Sequence, residues 1–236
     1  DLLSKIEKAK KPIIIIGGGD WNQEGAKDLE NFANNNNIPY AVSFRRQSLV
    51  NSNKNYYIGD LSTSVDPKLV KTVKEADLIL VVGARLGEMT TGGYSTIKIS
   101  QKNKIIHVYP ERKELGKVYK PLIAIKANSS IFSKVITNKK IKNIKWKEWA
   151  ISCRKNYIEY SNPPKYFSEP DMGKIMLILR ENMPKNTIIT IDAGNFSGWI
   201  QRFWKYTKAK TQLAPTSGAM GYSIPAAISA KISKKN

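Results

Sequence analysis

KPIIIIGGGDWNQEGAKDLENFANN, residues 11–35, is the stretch on which the fold reading turns. Pro12 precedes four isoleucines, an apolar run of strand length. Gly17, Gly18 and Gly19 follow, and then a helical pattern from about Asn22 to Asn34. In a strand–glycine–helix unit, backbone N–H groups and a helix N-terminus can cradle a phosphate. The match to a dinucleotide fingerprint is partial: Gly17 and Gly19 take its first two glycine positions, and Asn22 takes the third. Where an acid should end the second strand to bind a ribose hydroxyl, the chain has Ser43, Phe44, Arg45 and Arg46. Two arginines would suit a ribose 2′-phosphate. A tight glycine turn without a ligand explains the cluster equally well, and both readings stay open.

Outward from that unit, strands and helices alternate. Residues 1–10 read as the end of a helix or a linker. IPYAV at 38–42, DLILVVG at 77–83, KIIHVY at 104–109 and LIAIKA at 122–127 read as buried strands. Asp66-Pro67 signals a helix start, with Asp as cap and Pro at the first helical position. Asn128 or Ser129 starts another helix. The alternation predicts a doubly wound α/β domain with a parallel sheet over 1–137. Residues 138–167 form a connector with a helix around Trp146 to Tyr160, broken by Asn162-Pro163-Pro164. Ser168-Glu169-Pro170-Asp171 reads as a capped helix start with Pro inside the first turn. TIITID at 187–192 is a further strand, so a second α/β unit spans 168–236.

Composition excludes several classes. Among 236 residues, 41% are hydrophobic and 25% charged, an ordinary globular balance. No stretch approaches the ~20 apolar residues of a membrane span, so no membrane partner is expected. Cys153 is the single cysteine, which removes a disulfide framework and a zinc finger. Lys and Arg exceed Asp and Glu by 39 to 19, a net charge of +20. The lysines are spread along the chain with asparagine and isoleucine, and only KKIKNIKWK at 139–147 is concentrated. Compositional drift explains this better than specific nucleic-acid binding, which needs a basic face with stacking aromatics. The chain opens at Asp1 without Met and stops at Lys-Lys-Asn, and both ends read as cuts through a longer cytoplasmic protein.

Other candidate residues divide between chemistry and packing. Arg85, in VVGARLGEMTTGG at 81–93, follows a strand at its C-terminal end, where open α/β sheets bind ligands. Its fork suits a phosphate, although pairing with Glu88 or another acid is the plainer expectation. His107, the one histidine, lies among apolar residues and reads as a core group. Cys153 reads as structural. Trp199, Phe203 and Trp204 have helical spacing and read as core or subunit interface.

Two motifs near the end are more specific. IDAGNFSGW at 191–199 precedes TSGAMGYSIPAAISAK at 216–231. In this order, after a Rossmann-like domain, they resemble the thiamine diphosphate-dependent enzymes, with the nearest likeness to the acetolactate synthase-like members. The resemblance covers essentially the whole chain. Residues 1–137 resemble the family's central domain, and 168–236 the first part of its cofactor-binding domain.

The resemblance implies a cofactor held in a bent shape over a bulky apolar residue, here Met220. The carbonyl of Gly218 would accept from the aminopyrimidine, and the N–H of Met220 would donate to its ring, with Ala219 between them. The bend sets the amino group beside the thiazolium carbon whose proton it removes, and the charged ring is then an electron sink for a 2-oxo acid losing CO2. Gly194, Asn195 and Phe196 resemble the loop that touches the diphosphate, although acetolactate synthases carry Gln-His where this chain has Asn195-Phe196. The family's catalytic Glu and its Mg²⁺ motif are implied before Asp1 and after Asn236. No catalytic residue and no metal ligand is therefore expected here, and the fragment alone should be inactive.

Some relatives hold FAD on the central domain. Arg85 matches the first arginine of their phosphate motif, but Met89 replaces the second and Tyr109 replaces an acid, which counts against FAD. A 2-oxo acid substrate and a homodimer or homotetramer are also implied. The rival reading is a non-catalytic module holding NADP or FAD through Gly17, Gly18, Gly19, Arg45 and Arg85.

Overall fold

The computed structural model describes residues 2–99, 104–164 and 169–234. In the first unit, α1 (Leu2–Lys8) leads into β1 (Pro12–Ile16), α2 (Gln23–Asn35), β2 (Tyr40–Ser43), β3 (Tyr57–Leu61), α3 (Pro67–Glu75) and β4 (Leu78–Val82). A short α4 (Glu88–Thr91), β5 (Ile105–Tyr109), β6 (Ile123–Lys126) and α5 (Ser129–Ile136) complete it. The six strands form one sheet in the order β3-β2-β1-β4-β5-β6, and each adjacent pair is parallel. The strand order reverses between β1 and β4, as the doubly wound reading requires.

Local chemistry sets the helix starts. Asn22, Asp66 and Asn128 cap α2, α3 and α5, their side chains accepting the N–H of Gly25, Lys68 and Ser130 respectively. Each satisfies an N–H that the first helical turn leaves unpaired. The isoleucine run is buried throughout because both faces of β1 are covered. Ile14 and Ile16 join one core with Leu29, Phe32 and Val82, while Ile13 and Ile15 join the opposite one with Leu69, Val73 and Val81. Period-2 alternation divides one apolar strand between two helical layers.

β3 is not announced by an apolar run. It is a five-residue strand with Gly59 at φ +117° in its middle, and it follows a polar Asn-Ser-Asn-Lys-Asn stretch, so its signal is weak. It is held by α6 (Lys147–Tyr160), the helix expected in the connector. That helix is no free tether: its cap Trp146 and its Cys153 and Tyr157 are buried in the cores of the first unit. Tyr157 meets Tyr57 of β3 edge-on at 4.9 Å.

The second unit comprises α7 (Met172–Asn182), β7 (Ile189–Thr190), α8 (Ser197–Phe203), β8 (Gln212–Leu213) and α9 (Ser223–Ser233). The expected cap at Ser168 lies outside the described residues. The cap is Asp171, which accepts the N–H of Lys174 at 2.9 Å, so Pro170 precedes the cap rather than sitting in the first turn. The expected strand at 187–192 is shorter than its apolar run, because only Ile189 and Thr190 pair with Gln212 and Leu213. Met176, Phe203, Trp204 and Tyr206 form a small third core, which places Phe203 and Trp204 in packing as their spacing suggested.

Candidate cofactor site

Gly17, Gly18 and Gly19 lie at the switch point of the first sheet. Gly17 N–H donates to Val82 O at 3.0 Å, and Gly18 (φ +81°) lies so close to the next strand's loop that an added Cβ would fall 1.9 Å from Gly83 O. The Trp21 indole donates to Gly17 O at 2.6 Å. Asp20 accepts Ser129 N–H at 2.7 Å and Ser129 Oγ–H at 2.8 Å, so the N-terminus of α5 already faces a carboxylate of the same chain. Gly17 and Gly18 are thus committed to packing, and Gly19 is exposed.

Arg85 is exposed and pairs with Glu114 at 3.1 Å, not with Glu88. His107 is buried beside the carbonyl of Ala84, with Nε2 2.8 Å from that oxygen, and burial lowers its pKa. At the crevice, Gly17 and Gly18 are thus taken up by packing and Arg85 by its pair with Glu114.

The arginine expected at a ribose phosphate points elsewhere. Arg45 leaves β2 with φ +55° and is 5% exposed. Its Nη1–H donates to Pro215 O at 2.9 Å and its Nη2–H to Asp192 O at 3.1 Å. One side chain of the first unit therefore holds two loops of the second.

Those loops carry the two specific motifs. β7 and β8 run parallel, and Ile191 N–H donates to Leu213 O at 2.9 Å. Their C-terminal ends therefore lie side by side, at the edge where parallel sheets take ligands. After β7 the chain passes through Gly194 (φ +146°), Asn195 and Phe196 into α8, and Ser197 Oγ–H turns back to Gly194 O at 2.7 Å. After β8 it passes through Pro215, Gly218 (φ +73°), Ala219, Met220 and Gly221 (φ +81°) into α9. Positive φ at all three glycines is a conformation that side-chain-bearing residues adopt at a cost.

Asp192 joins the two loops. Its Oδ1 accepts Tyr222 N–H at 2.6 Å and Ser223 N–H at 2.8 Å, and its Oδ2 accepts Ser223 Oγ–H at 2.8 Å. The Ser223 hydroxyl, with the backbone N–H groups beside it, lowers the Asp192 pKa. The carboxylate at the end of one strand thereby fixes the start of the helix that follows the other. IDAGNFSGW contains Asp192, but its role depends on a partner 31 residues away, which sequence reading missed. The signal available was an acid directly after a buried strand and just before a glycine turn.

The resulting surface is open. Met220 is 83% exposed, and nothing lies within 4 Å of a Cβ built on Gly218 or Gly221. Gly194, Asn195 and Phe196 are exposed beside it. Asn195, Gly198 and Trp199 also line a cleft of about 290 Å³ with Ser64 and Tyr160 of the first unit and its connector helix. Met220 thus stands as an uncovered apolar side chain between two glycines of positive φ. Among the described residues, no group of three His, Cys, Asp or Glu side chains is placed to hold a metal.

Residues 1–135 match the family model described as thiamine pyrophosphate enzyme, central domain, and residues 192–236 match the C-terminal TPP binding domain. The second match begins at Asp192 and contains both loops. The chain is 22% identical to the acetolactate synthase isozyme 2 large subunit of Escherichia coli (strain K12), over 98% of this chain and 41% of that protein. It is 26% identical to the acetolactate synthase large subunit of Pyropia yezoensis, over 98% and 40%, and 25% identical to that of Lactococcus lactis subsp. lactis, over 100% and 41%. The chain thus spans about two-fifths of the length of the curated relatives it matches.

Proposed function

The chain belongs to the thiamine pyrophosphate enzyme family, and from that membership we propose that it forms part of an acetolactate synthase-like enzyme acting on 2-oxo acids. The observation that carries the reading is the pairing of the 193–196 and 216–221 loops at the ends of β7 and β8, clasped by Asp192 and Arg45.

The residues have distinct tasks in this reading. Gly194, Asn195 and Phe196 line the diphosphate end. Their side chains differ from the Gln-His of acetolactate synthases, so backbone groups carry that contact. The Gly218 carbonyl and the Met220 N–H orient the pyrimidine, Ala219 keeps the turn between them small, and the Met220 side chain supports the bend. When bound, thiamine diphosphate supplies the electron sink for decarboxylation and for carbon–carbon bond formation with a second carbonyl. This chain's contribution is orientation, since a reacting geometry held in place removes much of the entropic barrier. No acid–base residue or Mg²⁺ ligand is assigned within it, and the chain alone is expected to turn over no 2-oxo acid.

The enzyme is read as a cytoplasmic homodimer or homotetramer. Ile224, Ile228 and Ile232 form an uncovered apolar stripe on α9, which favours burial in a larger assembly.

Equilibrium dialysis of the full chain against thiamine diphosphate, with thiamine as control, tests the cofactor assignment. Saturable retention of the diphosphate that Met220→Ala weakens is expected. Retention unchanged in both Met220→Ala and Asp192→Ala would overturn it.

A further inference from the structure

A second cleft lies away from these loops, where α7 turns towards β7 and α8 runs out to Tyr206. It holds about 160 Å³ and is lined by Arg180, Lys185, Lys205, Trp204, Asn53 and Thr207, among others. Three cations thus converge on one cleft. Among the described residues none of the three makes an ion pair, although Lys elsewhere pairs readily, as Lys11 does with Glu75 and Lys68 with Glu159. Arg180 is held by donating to Phe203 O at 3.0 Å, and Trp204, 8% exposed, forms an apolar wall.

From these contacts we propose a site for a small tetrahedral oxyanion, a phosphate or phosphomonoester, between Arg180, Lys185 and Lys205. Charge is the first argument. Burial and the neighbouring Arg180 and Arg154 guanidinium groups lower the Lys205 pKa, so the cleft brings like charges together without a counter-charge. Arg154 adds to the repulsion and is held in place by donating to Ser52 O and Tyr57 O. An anion would turn the repulsion into attraction, and in a partly dehydrated cleft that attraction is stronger than at an open surface.

Size is the second argument. The cleft falls below the roughly 300 Å³ at which pockets for drug-sized ligands begin, so it admits an anionic group and not a whole nucleotide. The Thr207 hydroxyl and the Asn53 amide add neutral donors on the rim.

The test is thermal unfolding of the full chain with increasing inorganic phosphate, without thiamine diphosphate and with chloride balancing ionic strength. A saturable rise in Tm is expected, and ligand binding to the folded state requires one. Lys205→Gln should weaken the apparent affinity about tenfold, the factor that a lost charge-assisted bond carries. Lys142→Gln removes the same charge elsewhere and should leave the affinity unchanged.

No rise beyond the chloride control would overturn the site. So would equal weakening in Lys205→Gln and Lys142→Gln, which would mean diffuse attraction to a basic surface. If Gly194→Ala abolished the rise while Lys205→Gln left it intact, phosphate would be binding at the cofactor loop, and this proposal would fail while that of the cofactor site stood.

Discussion

The guanidinium of Arg45 donates to the backbone carbonyl of Pro215 at 2.9 Å, across 170 residues of chain. The same group reaches Asp192 O, so a single buried cation ties the sheet of the first unit to the loops that follow β7 and β8 in the second. Burial lowers its pKa while Asp192 opposes that, the pattern of a cation retained for its partners. Arg45→Met should leave the buried Pro215 carbonyl and the half-buried Asp192 carbonyl without this donor and destabilise the chain by about 1.5–3 kcal/mol, the range for hydrogen bonds to a charged group. Urea unfolding followed by tryptophan fluorescence measures it. A loss under half a kcal/mol would show that the loops are held by other means.

Asp192→Ala should act on the cofactor loop more than on the fold. It removes the acceptor for Tyr222 N–H, Ser223 N–H and Ser223 Oγ–H together. Amide exchange at 222 and 223 should quicken, and affinity for thiamine diphosphate should fall at least about tenfold. Because the folded-state pKa of Asp192 is depressed, its contribution is present above the unfolded value and is lost as pH falls through the folded one. Wild-type exchange at 222 and 223 should therefore rise towards the variant's in strong acid, and an unchanged difference would contradict the assignment.

Asp60 gives the opposite pH dependence. It lies on β3, where Oδ1 accepts from Gln47 at 3.2 Å while Oδ2 is buried without a hydrogen-bond partner. Burial pushes its carboxyl up to about 7, well above the ordinary aspartate range. The folded protein therefore favours the protonated acid. That stability is fully present below the unfolded pKa, drains away as pH rises to about 7, and is absent above it. At ~1.4 kcal/mol per unit the swing is on the order of 4 kcal/mol. Asp60→Asn should abolish most of it, so the variant should be the more stable of the two at pH 8 and not at pH 4. Parallel urea curves at both pH values decide this.

Gly18→Ala tests the packed reading of the switch point. The added Cβ would meet Gly83 O at 1.9 Å, with φ at +81°, so neither backbone can yield cheaply. A loss of about 3–5 kcal/mol or failure to fold is expected. Gly19→Ala, where nothing lies within 4 Å, should cost about 1 kcal/mol or less. Equal effects would mean that the glycines share a role other than packing.

Much of the fold was legible in the sequence because it rests on local rules. A cap such as Asn22, Asp66 or Asn128 acts on an N–H two or three residues away, so the helix start is written where it occurs. The isoleucine run of β1 and the DLILVVG run of β4 announce strands covered on both faces. The motifs around Gly194 and Gly218 likewise marked the tight loops after β7 and β8, because positive φ favours glycine wherever the rest of the chain lies.

Tertiary structure decided the rest. Only folding brings Arg45 to Pro215, sets Asp192 against Ser223, buries Asp60 and gathers Arg180, Lys185 and Lys205 around one cleft. Each of these effects depends on what a charge meets after burial, and Coulomb and desolvation energies depend on distances that residue order does not contain. The sequence determined which segments are strands, helices and glycine turns. The packing of the second unit against the first determined which charged groups clasp a loop, which are held neutral, and which are left without a counter-charge.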